Sequence, residues 1–284
     1  MSALRIGFLV PSYAEPSESH FPVVMRMLAD DGVKVDVVGG KRRLLDLSSV
    51  RVEHDLYVLK KIDGLAWSVA GALHVQGATI VNPYPVTAAL RDKIVAFRVL
   101  QAAGVATPAT YTGSHPMLLA PLLDGGPLVV KPLDGTGGFG VQVIRTLAEL
   151  EALPVIRTAP VFAQRYHPPD GRDRKIYAIG GRLFGVKKVF PARTQEEKHG
   201  EPFTPTAEMQ DIARRCGEAF GIDLYGVDII ESDGRTYVVD MSTVPGFKGV
   251  PDAPIHLAAY VRAAAERAAR GHPLGQLAGI GSAR

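Results

Sequence analysis

One short segment constrains the fold of this chain more than any other: LVVKPLDGTGGFGVQVIR, residues 128–145. Its glycines at 135, 137 and 140 fit the spacing G-x-G-x-x-G, which in dinucleotide-binding folds opens a helix and precedes an acidic residue about 20 positions later. Here the β-like VQVIR follows, and the nearest acids, Glu149 and Glu151, lie in a helical pattern. Gly-Lys-Ser/Thr is also absent, so a Rossmann turn and a P-loop are both excluded.

The remaining interpretation is a strand, a glycine loop and a second strand, with Lys131 four residues before the loop. The loop consists of Gly135, Thr136, Gly137, Gly138, Phe139 and Gly140. Glycine amides can approach a phosphate closely because no side chain intervenes, and a lysine at the strand end supplies the neutralising charge. The alternative is a flexible hairpin beside a surface lysine. Four glycines in six residues favour phosphate binding.

The chain before this segment alternates between strand and helix patterns. Strands are predicted at residues 4–10, 33–38, 54–60 and 78–82, and helices at residues 20–31 and 65–77. Such alternation is typical of a parallel sheet of the α/β class. The turn-like NPYP at 82–85 marks a boundary, and residues 86–105 are predicted to form one helix.

The chain after the glycine loop is rich in hairpin patterns. Hairpins are predicted at residues 174–190 and 224–242, and helices at residues 208–221 and 254–271. Asp228 and Asp240 lie on the two arms of the second hairpin, each within an apolar run. A three-residue loop, Ser232–Gly234, would place Asp228, Asp240 and Ser242 on one face, whereas a two-residue loop would separate the aspartates.

Oxygen ligands clustered on one face suit Mg²⁺ that also binds phosphates. The alternative is a pair of solvated strand carboxylates. The apolar flanks favour the metal interpretation, because an unpaired carboxylate is costly in such surroundings.

Composition narrows the functional classes. Hydrophobic residues make up 46% and charged residues 21%, as in an ordinary globular protein. No apolar run reaches about 20 residues and the start reads as a strand, so we expect a cytoplasmic protein with no membrane partner. A net charge of +3 is too small to indicate nucleic acid. Cys216, the only cysteine, lies in a helical pattern typical of a buried thiol.

An ordered set of motifs resembles ATP-grasp enzymes. The motifs are LRDK, LVVKP, GTGGFGV, FAQRY, GRDRK, IGG, YGVDII and VVDMSTVPGFKGV, within about residues 80–260. The chain is most similar to RimK-like carboxylate–amine ligases, and KIYAIGG and VVDMSTVPGFKGVP also resemble ATP-grasp inositol-polyphosphate kinases. The resemblance implies an ATP-grasp fold of mixed α/β and α+β class. It implies an N-terminal parallel α/β domain (1–87), a central subdomain with a glycine-rich lid (88–165), a C-terminal subdomain (166–272) and a flexible tail (273–284).

The resemblance also implies roles by position. Lys93 and Lys131 would contact ATP phosphates beneath the glycine loop, which would be a mobile lid. The backbone of Gln164, Arg165 and Tyr166 would meet adenine. Asp228 and Asp240 would bind Mg²⁺, with Mn²⁺ as an alternative.

Two positions depart from the family pattern. Lys175 stands where these ligases usually carry an arginine that steadies the acyl phosphate, and a lysine keeps the charge but loses the bidentate fork. The second metal strand usually reads Glu-x-Asn but here reads Asp240-Met241-Ser242, so a weakened second metal site is expected.

A basic cluster follows the first hairpin: Lys187, Lys188, Arg193 and Lys198. It is either a docking site for an anionic co-substrate or a solvated loop face. We assign Arg193, with Lys175, to the catalytic residues.

The function implied is an ATP-dependent ligase that joins a carboxylate to an amine through an acyl phosphate. Its substrates would be small molecules or peptides, and self-association into a homo-oligomer is left open. Two alternatives remain: a kinase that phosphorylates a hydroxyl on the same fold, and a non-catalytic ATP-binding protein.

Overall fold

The computed structural model describes residues 3–10, 19–38, 44–60, 64–133, 140–155, 160–189, 194–272 and 274. Three sheets organise these residues: a four-stranded parallel sheet, a four-stranded antiparallel sheet and a five-stranded antiparallel sheet. The predicted combination of a parallel α/β unit with antiparallel sheets is therefore confirmed.

The first sheet is parallel and has the strand order β2-β1-β3-β4. Its elements are β1 (Arg5–Leu9), α1 (Phe21–Asp30), β2 (Lys34–Val37), β3 (Leu56–Leu59), α2 (Gly64–Val75) and β4 (Ile80–Val81). The central strands β1 and β3 are buried almost throughout. They can be apolar on both sides because α1 packs on one face of the sheet and α2 on the other.

The single helix expected after this sheet is two helices, α3 (Tyr84–Arg91) and α4 (Lys93–Ala102). Asp92 separates them, with an extended backbone at φ −87° and ψ 106°. Its carboxylate accepts hydrogen bonds from the amides of Ile94 and Val95 and so caps α4. The prediction was wrong because helical periodicity continues across this break, while the strong preference of aspartate for the N-cap position ends it.

The second sheet is antiparallel, in the order β5-β8-β6-β7. Its strands are β5 (Thr110–Gly113), β6 (Leu128–Lys131), β7 (Gln142–Ile144) and β8 (Val161–Arg165). A 3-10 segment, Pro116–Gly125, and helix α5 (Leu147–Glu151) supply apolar side chains to its core. The pairing of Leu128 with Ile144 confirms that strands flank the glycine loop.

The third sheet is antiparallel, in the order β11-β10-β9-β12-β13. Its strands are β9 (Asp173–Ile179), β10 (Arg182–Lys188), β11 (Glu201–Phe203), β12 (Leu224–Ser232) and β13 (Arg235–Thr243). The accompanying helices are α6 (Gln195–His199), α7 (Ala207–Phe220) and α8 (Ala253–Ala269). Both predicted hairpins, β9–β10 and β12–β13, are present.

The two faces of the third sheet have different neighbours. One face packs on α7 through residues such as Ile176 and Val227, in a core that also buries Cys216 as predicted. On the other face, Tyr177 and Leu224 share a core with Phe8 of β1 and with α8. This shared core fixes the third sheet against the carboxyl ends of the parallel strands.

The turn of the β12–β13 hairpin differs from the prediction. Ser232 pairs with Arg235, so the loop has two residues, Asp233 and Gly234, with φ of 50° and 70°. Both values are left-handed, which is the conformation of a type I′ turn. The register then shifts, because Ile229 pairs with Val238 whereas Asp228 pairs with Asp240.

Val239 is therefore a β-bulge residue without a partner on β12. The predicted outcome, Asp228 and Asp240 on one face, is confirmed. The predicted cause, an odd-numbered loop, is wrong, because the bulge supplies the extra residue.

Among the described residues, no helix combines the length and the apolar composition needed to cross a membrane.

Candidate functional site

The residues expected to act together lie in a row across three strands of the third sheet. Lys175 on β9 is opposite Asp228 on β12, and Asp228 is opposite Asp240 on β13. One step along, Tyr177 is opposite Gly226, and Gly226 is opposite Ser242. Directly paired residues share a face, so the row brings a lysine, two carboxylates and a serine together.

Lys175 is bound by a carboxylate. Its Nζ lies 2.8 Å from Asp228 Oδ1 and 3.0 Å from Oδ2, and 5.7 Å from the centroid of the Tyr177 ring. Burial lowers the pKa of Lys175, but the adjacent Asp228 carboxylate more than compensates and raises the pKa above its ordinary value. The lysine stays charged at the position where the resemblance implied a cation.

Lys93 reaches the second carboxylate from a different element. It is the first residue of α4, and its Nζ lies 3.3 Å from Asp240 Oδ1. The break at Asp92 begins α4 at this residue, so the unexpected helix boundary sets the position of a predicted phosphate-binding lysine.

Lys131 comes from the second sheet and bridges to the third. Its Nζ donates at 2.7 Å to Gln164 Oε1 and at 2.7 Å to the carbonyl oxygen of Val239, the bulge residue. Burial lowers the pKa of Lys131 from 10.5 to about 8, against the opposing effect of Asp240. Both direct acceptors are neutral oxygens, so they do not restore the charged form as a carboxylate would.

The predicted adenine-binding residues lie at the end of β8. Gln164 is buried at 1% exposure and holds both Lys131 and Thr110. The Arg165 guanidinium donates to the carbonyl groups of Leu122 and Gly126. The amide of Tyr166 donates to Pro127 at 3.0 Å. These contacts hold the strand end in place, and the adenine contact itself stays a prediction.

Several predicted residues lie outside the described residues: Gly135, Thr136, Gly137, Gly138, Phe139 and Arg193. Gly140, at the end of the loop, is described and has a left-handed φ of 75°. Of the basic cluster, Lys188 lies 5.7 Å from the Tyr177 ring centroid on the site face, and Lys187 lies 5.6 Å from the Phe203 ring. Adjacent strand residues point to opposite faces, so only Lys188 of this pair faces the site.

Sequence reasoning missed two residues of the site, Asp173 and Lys60. Asp173 begins β9 two positions before Lys175, and strand periodicity alone would have placed both on one face. Burial, with the nearby Asp228 carboxylate, raises the pKa of Asp173 to about 6. Lys60 follows β3 at the carboxyl end of the parallel sheet, where ligands of such sheets commonly bind.

The loop after β13 contains unusual backbone conformations. Val244 and Phe247 have φ of 31° and 51°, although neither is glycine. Both side chains are fully buried, and the Phe247 ring centroid lies 5.4 Å from that of Tyr177. Strained residues of this kind persist where surrounding contacts fix them, and they cluster at functional sites.

The side-chain oxygen atoms of Asp228, Asp240 and Ser242 in this row are of the type that binds a divalent cation. Ser242 Oγ is buried and has no hydrogen-bond partner among the described residues. A Cβ on Gly226 would lie 3.4 Å from this oxygen, so the glycine keeps the space beside it open. Nowhere in the described ranges do three His, Cys, Asp or Glu side chains gather closely enough to hold a metal ion. Protein carboxylates alone therefore do not complete a metal site here; Asp228 and Asp240 could hold Mg²⁺ only together with water and phosphate oxygens.

Comparison with known families gives one match that spans most of the chain. A family model described as the RimK-like ATP-grasp domain matches residues 90–264. That range contains α4, both antiparallel sheets and every residue of the row.

Curated relatives are similar over part of their length. A probable alpha-L-glutamate ligase of Aliivibrio salmonicida is 28% identical over 189 residues, which is 60% of this chain and 63% of the relative. A probable alpha-L-glutamate ligase 2 of Shewanella frigidimarina is 29% identical over 200 residues, which is 66% of this chain and 67% of the relative. The chain thus spans slightly under two thirds of the Aliivibrio relative.

Solved structures share the fold at low identity. A RimK domain ATP-grasp protein from Sphaerobacter thermophilus has a TM-score of 0.73 at 17% identity, covering 90% of this chain and 97% of that one. The D-alanine–D-alanine ligase of Bacillus anthracis, complexed with ATP, has a TM-score of 0.71 at 19% identity, covering 95% and 98%. The ATP-grasp ligase PsnB, complexed with a minimal precursor, Mg and ADP, has a TM-score of 0.70 at 17% identity, covering 93% and 99%.

Proposed function

This chain belongs to the RimK-like ATP-grasp family, and on that premise we propose that it is an ATP-dependent ligase that joins a carboxylate to an amine. The observation that carries the proposal is the meeting of three lysines from three elements around the hairpin that carries Asp228 and Asp240. Lys93 contacts Asp240, and Lys175 contacts Asp228. Lys131 donates to the carbonyl oxygen of the bulge residue Val239, which precedes Asp240.

This arrangement suits a polyphosphate with a divalent cation. Lys93 and Lys131 would neutralise the phosphates of ATP, and Asp228 and Asp240, with Ser242 Oγ, would hold Mg²⁺. The cation, when bound, would screen charge on the phosphate oxygens. The protein groups act by positioning and by charge neutralisation, as in other phosphoryl transfers.

The proposed chemistry has two steps. A carboxylate oxygen of the acid substrate attacks the γ-phosphorus of ATP, and the bond to ADP breaks, giving an acyl phosphate. The amine nitrogen then attacks the acyl carbon, inorganic phosphate leaves, and the nitrogen loses a proton as the amide forms. Lys175 would hold the transferred phosphoryl group through both steps, because it lies beside Asp228 and stays charged.

The substrates are proposed at the level of chemical class. The curated relatives are called alpha-L-glutamate ligases, and the PsnB structures contain a precursor peptide. We therefore propose an acid and an amine that are small molecules, amino acids or peptides.

The test is the fate of the γ-phosphate. With γ-labelled ATP, Mg²⁺ and a panel of acids and amines, we expect labelled inorganic phosphate only when both an acid and an amine are present. Lys175→Met should abolish this release, whereas Lys187→Met, on the opposite face of the next strand, should not. A stable phosphorylated product in place of phosphate and amide would overturn the proposal in favour of a kinase.

A further inference from the structure

A cavity of about 330 Å³ lies at the end of the third sheet that is remote from the row of site residues. It is bordered by the turn between β9 and β10, by Asp223 before β12, by α8 and by Leu274. Ile179 in its wall follows Lys175 on β9 by four residues, which is about 13 Å of extended strand. Because pockets for small molecules begin at about 300 Å³, the cavity is large enough for a small ligand.

A tight turn and one helix face form the walls of this cavity. Gly180 and Gly181 have left-handed φ values of 58° and 82°, as a two-residue hairpin turn requires. A Cβ on Gly180 would lie 3.0 Å from Tyr260 Cδ2, so the glycine allows the turn to approach α8 closely. The residues of α8 that line the cavity recur at positions 256, 259, 260, 263, 264 and 267, which is the spacing of a single helix face.

One polar end of the cavity is a carboxylate that contacts only an uncharged donor. Asp223 is partly buried, and its Oδ1 accepts from the Tyr260 hydroxyl at 2.5 Å. Burial and the adjacent Asp223 raise the pKa of Tyr260 well above its usual value, so the hydroxyl keeps its proton and remains the donor. Within the described ranges no basic side chain forms an ion pair with Asp223. An ammonium group would therefore be a favourable partner here.

The other polar end is a guanidinium group that has no carboxylate partner among the residues that the structure describes. Arg182 Nη1 lies 3.2 Å from His256 Nδ1. A guanidinium group can only donate, so Nδ1 accepts and the ring proton of His256 is on Nε2, which supplies a second donor. Arg182 on β10 and Asp223 before β12 flank β9 from opposite sides, about 10 Å apart at the level of the backbone.

We propose that this cavity binds a free α-amino acid with an apolar side chain. The Asp223 carboxylate would accept from the α-ammonium group, and Arg182 and His256 Nε2 would donate to the α-carboxylate. The apolar part of the wall, which includes Ile179 and Leu274, would contact the side chain. Each charged end of the ligand thus meets the opposite charge. The inference goes beyond the proposed function and does not rest on it, because no residue of the row lines the cavity.

The experiment measures binding and needs no turnover. Calorimetry with the full chain, without nucleotide or metal, would titrate L-alanine, L-valine, L-leucine and L-methionine, and we expect at least one of them to bind. Its N-acetyl derivative lacks the ammonium charge, and its amide lacks the carboxylate. Each of these analogues should bind about tenfold or more weakly, as for the loss of one charge-assisted contact.

Four variants assign the binding to the cavity. Arg182→Gln and Asp223→Asn should each weaken the amino acid about tenfold or more. Asparagine keeps an oxygen that can accept from Tyr260, so thermal unfolding should be little changed. Arg270→Gln, at the end of α8 and outside the cavity, should bind as the wild type does. Lys175→Met should also bind normally, because Lys175 belongs to the row.

An independent measurement on the wild type does not depend on the folding of any variant. The methyl groups of Ala259 and Ala263 line the cavity, and their NMR chemical shifts should move as the amino acid is titrated. Failure of all four amino acids to bind, or methyl shifts that stay constant while one binds, would overturn the inference. Binding that Lys175→Met abolishes, or that Arg182→Gln and Asp223→Asn both leave unchanged, would also overturn it, because the amino acid would then lie elsewhere.

Discussion

Lys131 on the second sheet and Lys175 on the third sheet both place an ammonium group inside the same site, but their partners differ. Lys131 contacts only neutral oxygens, Gln164 Oε1 and Val239 O, whereas Lys175 contacts the Asp228 carboxylate. The pKa values move in opposite directions, to about 8 for Lys131 and upward for Lys175.

The difference separates two uses of a buried cation. A carboxylate partner raises the pKa of Lys175 and keeps it charged, which suits the role proposed for it of holding a transferred group. Neutral partners leave the pKa of Lys131 at about 8, so we expect an anion that binds beside it to stabilise its charged form. We therefore expect Lys131, on the sheet that carries the glycine loop, to respond to ligand, and Lys175, on the sheet that carries the acids, to keep its charge.

The largest expected effect comes from breaking the Lys175 pair. Asp228→Asn removes the carboxylate that keeps Lys175 charged and one of the two proposed metal ligands. We expect activity to fall about 100- to 1000-fold, the scale of losing an electrostatic group at the reacting centre. Steady-state phosphate release measures this loss.

The matched control is Glu231→Gln on the same strand. Glu231 pairs with Arg174 at 2.9 Å, away from Asp228 and Lys175. Its activity should stay within about twofold of wild type, since this partly buried ion pair includes none of the groups proposed to act in the site. Equal losses in the two variants would mean that strand stability, and not the site, explains the result.

Removing the other lysine tests whether its charge is used by ATP. Lys131→Ala should weaken ATP binding about tenfold to hundredfold, the range for a charge-assisted hydrogen bond, while the fold survives. The fold should tolerate the change because burial already disfavours the charged lysine. Calorimetry gives the affinity, and an unchanged value would remove Lys131 from the site.

A smaller effect should follow from giving Lys131 the kind of partner that Lys175 has. Gln164→Glu places a carboxylate where Oε1 now accepts from Lys131 at 2.7 Å. ATP affinity should fall about fivefold, because the new carboxylate competes with phosphate for the ammonium group. Gln101→Glu, at an exposed position, is the control for added negative charge and should change affinity little.

Gln164→Glu should also change the number of protons that the protein takes up when ATP binds. Between about pH 8 and 10.5 the folded chain holds less of the Lys131 proton than the unfolded chain does, so the cost of burying this lysine falls as pH rises. Bound phosphate restores the proton, so ATP binding at pH 8–9 should take up protons. Binding enthalpies in buffers of different ionisation enthalpy would detect this uptake in the wild type. Gln164→Glu should abolish it.

The smallest effect is expected at Ser242, where the proposed metal-binding strand departs from the family pattern. Ser242→Asn supplies the longer oxygen ligand that is usual in the family. The Mg²⁺ concentration that gives half-maximal activity should therefore fall about two- to fivefold. The space beside Gly226 is where the longer side chain would extend. Gly226→Ala should have the opposite effect and raise the Mg²⁺ requirement, because its Cβ would lie 3.3 Å from Lys175 Cε and crowd the site. An unchanged metal dependence in Ser242→Asn would assign Ser242 to the substrate pocket instead.

Much of the fold follows from local patterns. Alternating strands and helices predicted the parallel sheet, and apolar runs on either side of Gly180–Gly181 and of Ser232–Gly234 predicted both hairpins. The acids, the lysines and the glycine loop were identified from residue type and order, because their chemistry is a property of the side chains themselves. The break at Asp92 could not be predicted in this way, because helical periodicity continues on both sides of it.

The sequence by itself determined which groups this protein possesses and on which strands they lie, because strand and turn preferences act over a few residues. Only the tertiary structure decided how they meet. The bulge at Val239 aligns the two aspartates, and Val239 O accepts from Lys131, a residue 108 positions earlier. Lys60 follows β3 yet feels the charge of Lys175 on β9, because the parallel sheet and the third sheet share one core. Such contacts depend on how separate elements pack, and no local pattern contains that information.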